Sequence, residues 1–291
     1  MIDARPRRAR AHSRRLGPRT RGAILLSAVA ALGALLTVGR PAAQERDVTE
    51  AEFDKFRALM EESNTAELFE IKGEELWKAK RGPKNASLER CDLGLGPGVL
   101  AGAYVQAPRY FADVGKVMDI EGRIVHCMIT LQGFRFEDLA KAPFSTEQRT
   151  PEVVSLVTYV AGQSRDMKIA VPQSNASERD AYGLGEAIFH YRAGPWDFSC
   201  ASCHGEDGKR IRTQNLPNFT NPRTAPRGFL GWPGYRMTGG VMHTLQWRMN
   251  DCFRQQRFPE PGYVSDTVTA LLTFMGVNAN GAAYKGPGIK R

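Results

Sequence analysis

Apolar residues recur at helical spacing in three stretches of this chain. Thr49-Glu50-Ala51-Glu52 has the form of a capping box, and Phe53, Phe56 and Leu59 follow on one face, which predicts a helix from Thr49 onward. A second amphipathic stretch carries Leu68, Ile71, Leu76 and Trp77 and is stopped by Gly82-Pro83. The third runs from about Glu178 to His190 and leads on through Gly194-Pro195-Trp196. Between Gly205 and Met237 no helical period holds, and the segment reads as a long loop rich in glycine and proline. These features predict a mainly α chain of short helices joined by long loops.

A different pattern opens the chain. Arg5, Arg7, Arg8, Arg10, Arg14, Arg15, Arg19 and Arg21 precede an apolar run from Ala23 to Val38, and the small residues Ala42 and Ala43 follow it. That is the form of an export signal over residues 1–43. The run is short and glycine-dotted for a membrane span, and an uncleaved N-terminal anchor is the alternative. The leader also distorts the charge. The whole chain is formally +9, but residues 1–43 hold nine arginines against one aspartate. The remainder is close to neutral, so the basic balance gives no reason to expect nucleic-acid binding. No membrane-length apolar stretch follows, and what remains is enough for two domains.

Residues 200–204 read Cys-Ala-Ser-Cys-His. In this pattern two thiols add across the vinyl groups of a haem, and the histidine falls beneath the iron. A structural zinc site is the competing use, but it wants a second Cys/His pair at short spacing, and the sequence offers none. The expectation is one covalent haem c on Cys200 and Cys203, with His204 as proximal ligand. Short helices among glycine-rich loops suit such a cytochrome c domain, where the haem supplies much of the core. Haem c is attached after export of an unfolded chain. That agrees with the leader and points to a bacterial periplasm by the general secretory route, although Ser13-Arg14-Arg15-Leu16 hints at a twin-arginine signal.

The chain also repeats itself. Tyr110 lies 17 residues before Cys127, and Tyr235 lies 17 before Cys252. Gly115-Lys-Val-Met118 echoes Gly239-Gly-Val-Met242, Arg123 precedes Cys127 as Arg248 precedes Cys252, and Leu156-Val-Thr-Tyr159 echoes Leu271-Leu-Thr-Phe274. The shared order predicts two cytochrome c-like domains related by duplication, over residues 44–165 and 166–291. In that alignment Cys91 falls on Cys200, Gly94 on the second thiol and Leu95 on the axial histidine. The first half is thus a degenerate domain without the atoms to hold haem. Its two cysteines are expected to form a disulfide, Cys91–Cys127, in an oxidising compartment, two buried free thiols being the alternative.

Of five cysteines, this leaves Cys252, 48 residues after His204, where a distal haem ligand is commonly found. Met237, Met242, Met249 and His243 occupy the same region, and spacing does not choose among them. Methionine is the usual ligand in electron carriers.

The stretch Gly-Tyr235-Arg236, followed by Leu245-Gln-Trp-Arg248-Met-Asn-Asp-Cys252-Phe-Arg-Gln-Gln256-Arg257, resembles the SoxA family, the cytochrome subunits of the SoxAX complex of sulfur-oxidising bacteria. The resemblance covers nearly all of the chain after the leader, and the box at Cys91 places it with the monohaem type. It implies that Cys252 is both distal ligand and active-site residue, carrying an added sulfur as a persulfide, and that Arg248 binds the anionic substrate. The implied reaction couples thiosulfate oxidatively to a cysteine of the SoxYZ carrier. Electrons would leave through a SoxX-type partner to a soluble cytochrome c. The chemistry suits the residues: a guanidinium offers forked donors to an oxyanion, and positions i and i+4 share one helix face. The competing function is a His/Met-ligated electron-transfer cytochrome in which Cys252 is structural. A non-catalytic haem sensor or assembly subunit is the third. His126 and His190 read as ordinary helix residues, and the Asn-x-Ser/Thr triplets at Asn85, Asn175 and Asn218 as chance.

Overall fold

The structure is a computed structural model and describes residues 65–139, 151–211, 214–237 and 239–290, together with Glu52, Lys55 and Leu59. The expected leader over residues 1–43, Thr49 of the capping box, and Phe53 and Phe56 lie outside the described residues; Glu52, Lys55 and Leu59 are helical. The chain divides into Met1–Phe56, of which only Glu52 and Lys55 are described, and Arg57–Arg291, a single compact unit.

The larger unit is mainly helical. Helix α1 (Ala66–Lys78) is followed by strands β1 (Arg109–Phe111) and β2 (Lys116–Met118). Helix α2 (Ile120–Cys127) runs on into a π-helical turn at Met128–Gln132, a single helical turn follows at Phe136–Leu139, and then comes helix α3 (Pro151–Gly162). Helices α4 (Ala176–His190) and α5 (Cys200–His204) then lead to strands β3 (Gly234–Arg236) and β4 (Val241–His243). Helix α6 (Leu245–Gln255), helix α7 (Asp266–Asn278) and strand β5 (Gly288–Lys290) complete the order.

Two helix crossings organise the core, α1 on α3 and α4 on α7. Each rests on a glycine. A Cβ at Gly73 would lie 2.1 Å from the Ser155 carbonyl oxygen, and one at Gly185 would lie 2.0 Å from that of Ala270. Only a hydrogen fits at those distances, so the backbones touch directly. One turn further along, rings meet at both crossings: Trp77 with Tyr159 at 6.4 Å and Phe189 with Phe274 at 4.9 Å. The glycine contact also decides which face of α1 is buried. Leu76 and Trp77 point inward, whereas Leu68 and Ile71, which the period groups with them, are exposed. The same turn follows each first helix. Arg81 bridges Ala86 across Gly82 and Asn85 at φ 69° and 47°, and Ala193 bridges Phe198 across Gly194 and Asp197 at φ 73° and 50°.

The hairpins match as well. Strand β1 pairs antiparallel with β2, Tyr110 opposite Val117, and β3 pairs with β4, Tyr235 opposite Met242. Gly115 and Gly240 turn them at φ 73° and 62°, a region where a side chain is strained. Strand β5 joins the free edge of β3 in parallel, an addition the first hairpin lacks among the described residues. Each hairpin enters a helix through a side-chain cap. The Asp119 carboxylate accepts from Gly122 N at 3.0 Å, and Thr244 Oγ1 accepts from Trp247 N at 3.3 Å.

A buried clamp ties α6 to the start of α2. Gln246 Nε2 donates to both Asp119 oxygens at 2.8 Å, while its Oε1 accepts from Val264 N at 2.8 Å. Cys91 and Cys127 are bridged, and both are buried in the cluster that holds Leu88, Leu93, Ile124 and Met128. Beside the bridge Arg123 is only 4 % exposed. It donates to the Asp92 carbonyl at 2.6 Å and to Asp113 at 2.7 Å, and its guanidinium lies 4.3 Å from the Phe111 ring centroid.

Candidate haem-thiolate site

The Cys-Ala-Ser-Cys-His residues form the five-residue helix α5, started by a reciprocal cap. Ser199 Oγ accepts from Ser202 N at 3.2 Å, and Ser202 Oγ accepts from Ser199 N at 3.0 Å. His204 is oriented from behind. Its Nδ1 lies 2.8 Å from the Pro217 carbonyl oxygen, and a carbonyl only accepts, so Nδ1 carries the proton and Nε2 is left with its lone pair for a metal. The Phe219 ring, centroid at 5.2 Å, packs against the imidazole.

The segment that supplies Pro217 is more ordered than a loop reading expects. It contains paired two-residue strands at Arg210–Ile211 and Gln214–Asn215 and a short helix at Pro226–Phe229. Asp207 gathers it: Asn218 Nδ2, Asn221 Nδ2 and Thr224 Oγ1 donate to its carboxylate at 3.2, 2.8 and 3.2 Å. No sequence period announces that carboxylate, because its partners are scattered over a segment with no regular spacing.

Helix α6 carries Arg248 and Cys252 one turn apart, as the i, i+4 spacing predicts. Cys200, Cys203 and Cys252 are partly buried and unbridged. The thiols sense one another. Burial pushes Cys200 up to about 12, and charge on Cys252 and then on Cys203 adds to the shift. Burial likewise raises Cys252, with Arg248 the strongest opposing charge and Arg236 a further one. His204 is lowered by burial first, against its hydrogen bond to Pro217, and then by the Arg248 cation. The Arg248 cation thus lies within electrostatic reach of both His204 and Cys252.

This donor set fits a haem c: two thiols for attachment, one imidazole nitrogen with its lone pair, and a thiol from a separate helix. Among the described residues no group of three or more His, Cys, Asp or Glu is arranged to hold a bare metal ion. Of the other distal candidates, Met242 and Met249 are buried and Met237 is exposed. His243 lies flat on Trp247, ring centroids 3.6 Å apart, and is driven down to about 4 by burial and then by Arg236.

The Arg248 side chain is partly exposed, and its guanidinium is held at one corner, with Nη1 2.8 Å from Asp251 Oδ2. Arg123, which the internal sequence echo sets against Arg248, is engaged at two atoms, Nε with the Asp92 carbonyl and Nη1 with Asp113.

Comparison with known proteins accords with this geometry. The family described as SoxA/TsdA, cytochrome c domain, matches residues 72–169. The L-cysteine S-thiosulfotransferase subunit SoxA of Hydrogenophilus thermoluteolus is 46 % identical over 82 % of this chain and 87 % of its own length. The subunit of the same name from Hydrogenobacter thermophilus is 30 % identical over 77 % of this chain and 82 % of its own. The crystal structure of SoxXA from P. pantotrophus contains a chain of the same fold, with a TM-score of 0.63 and 25 % identity over 78 % of each chain.

Proposed function

Because this chain belongs to the SoxA family, the cytochrome c subunits of L-cysteine S-thiosulfotransferase, we propose that Arg248 and Cys252 carry out its reaction beside one covalent haem c. Cys200 and Cys203 would attach the haem, and His204 and Cys252 would hold its iron. The observation that carries the reading is that helix α6 presents Arg248 one turn before a partly buried, unbridged Cys252, in a chain that also keeps the Cys-Ala-Ser-Cys-His helix.

The haem, when bound, supplies one-electron redox capacity next to the distal sulfur. The polypeptide does the rest. The forked donors of Arg248 seat the oxyanion end of thiosulfate, and the outer sulfur then faces Cys252. The terminal sulfur on Cys252, thiolate or persulfide, would bond to the outer sulfur of thiosulfate as two electrons leave, and the carrier thiolate would then attack that sulfur and displace the Cys252 sulfur in its starting form. In the net change a carrier thiolate and thiosulfate become a cysteine S-thiosulfonate with one new sulfur–sulfur bond, and two electrons leave to a cytochrome c acceptor. The partners on this reading are a SoxX-type subunit and the SoxYZ carrier. The location is the periplasm, after removal of residues 1–43. No helix among the described residues is long and apolar enough to cross a membrane.

The same reading takes residues 44–165 and 166–291 as duplicated domains. The matched glycine crossings, turns, hairpins and caps support it. The disulfide and the leucines around it lie in the first domain, in which, on this reading, they would fill the space that haem would take in the second.

Two variants test the assignment. Cys252→Ala should shift the haem spectrum and abolish thiosulfate-dependent turnover, with one haem per chain by pyridine haemochrome. Arg248→Leu should keep the spectrum and lose about 10- to 100-fold in kcat/KM, the equivalent of about 1.5–3 kcal/mol of charge-assisted bonding. Wild-type turnover in Cys252→Ala would end the reading.

A further inference from the structure

Helix α6 holds a carboxylate that the proposed chemistry does not use. The Asp251 side chain is only 4 % exposed and is met by three donors. Arg248 Nη1 reaches Oδ2 at 2.8 Å, Gln255 Nε2 reaches the same oxygen at 2.7 Å, and Arg254 Nη2 reaches Oδ1 at 2.8 Å. The spacing is helical throughout, Asp251 lying three residues after Arg248, three before Arg254 and four before Gln255. All of this sits on the residue next to Cys252.

A buried anion beside a site for a dianion is unfavourable by charge alone, so its presence there calls for a compensating role. We infer that Asp251 is a positioning residue: it pins one edge of the Arg248 guanidinium so that the remaining donors are aimed at thiosulfate over Cys252. An unpinned arginine samples many rotamers and must be ordered each time substrate binds. Here that ordering is built into the free protein. Gln255 and Arg254 hold the carboxylate in turn, so its oxygens are fixed from two further directions. The inference rests on the reading of Arg248 as the partner of thiosulfate.

Asp251→Asn separates positioning from charge, because the two have opposite signs. Asn has a single acceptor oxygen for three donors, and its amide turns an N–H toward a guanidinium. If the carboxylate acts only through its charge, removing it favours a dianion and KM for thiosulfate falls. If it positions Arg248, KM rises and kcat/KM drops about 10-fold, the scale of a small misplacement of a binding group. The experiment uses the haem-loaded protein with its cytochrome partner, thiosulfate, the carrier and an electron acceptor. It reads KM and kcat separately, with the haem spectrum and melting temperature alongside.

The expected result is a raised KM for thiosulfate, an unchanged KM for the carrier and an unchanged haem spectrum. Asp251→Asn combined with Arg248→Leu should be no slower than Arg248→Leu alone, since a residue that works through Arg248 has nothing left to position. Additive losses in the double variant, or a lowered KM in the single one, would overturn the inference. Should Asp251→Asn fail to accumulate folded, Asp251→Glu keeps the charge and displaces the oxygens by one methylene, and wild-type kcat/KM there would equally overturn it. Loss in Arg248→Leu without loss in Asp251→Asn removes only the positioning role. Wild-type kcat/KM in Arg248→Leu removes the underlying reading of the arginine and the inference with it.

Discussion

Replacing Cys91 and Cys127 together by alanine tests how far the bridge stands in for a cofactor. The two residues are 36 apart in sequence, so the chain-entropy relation gives about 4 kcal/mol of stabilisation from closing that loop. Both sulfurs are buried, so their removal also leaves a small unfilled space, and the estimate is a lower bound on this account. For a unit of this size each kcal/mol moves the midpoint by about 2–4 °C, which predicts a fall of about 8–16 °C in melting temperature. The haem spectrum should stay as it is. The bridge lies at the far end of α2 from Asp119, and Asp119 is the residue that clamps α6 through Gln246. The assay is thermal unfolding by circular dichroism with the Soret band recorded in the same samples. A midpoint within about 2 °C of wild type would refute the stabilising role, being a change of no more than about 1 kcal/mol. A shifted Soret band at low temperature would refute its independence from the haem side.

Two further outcomes follow from packing and protonation. Gly185→Ala should lower stability by about 1–3 kcal/mol or more, because its Cβ would fall 2.0 Å from a backbone oxygen, and calorimetry should show it. Gly183→Ala on the same helix meets nothing within 4 Å and should instead gain up to about 1 kcal/mol from helix propensity; a loss there would sink the argument. His243, driven down to about 4 by burial and then by Arg236, binds a proton in the unfolded chain that the folded chain refuses. Stability should therefore decline as pH falls from about 6.5 toward 4, by at most about 1.4 kcal/mol per pH unit and less for a ring partly open to solvent. Denaturant titrations of His243→Gln should show a flatter slope over that window, and an equal slope would clear His243 of the effect.

Much of the site was legible in the sequence because its chemistry is local. The Cys200–His204 pattern, the Arg248–Cys252 spacing and the pairing of Cys91 with Cys127 all lie within one helix or one internal alignment. The helices with strong periods, α1 and α4, were equally visible. The hairpins were not. Their strands are three residues long, too short for alternation to register, and β5 finds β3 only across the fold. Asp251 reads as one more charged residue on an exposed helix until Arg248, Arg254 and Gln255 are seen converging on it. Gln246 reads as polar surface, yet it is 1 % exposed, because its partner Asp119 is 127 residues away. Gly73 and Gly185 read as weak points in helices, since the carbonyl each accommodates belongs to another segment.

Those two glycines bear on how such a chain can change over time. A crossing made by backbone against backbone does not depend on which side chains surround it. Around one crossing the neighbours are Trp77 and Tyr159, around the other Phe189 and Phe274, and both helix pairs still meet at a glycine. Mutation can therefore empty or refill the space beside either pair while the frame keeps its dimensions. A change in what fills the space beside either pair would leave the same two backbone contacts in place.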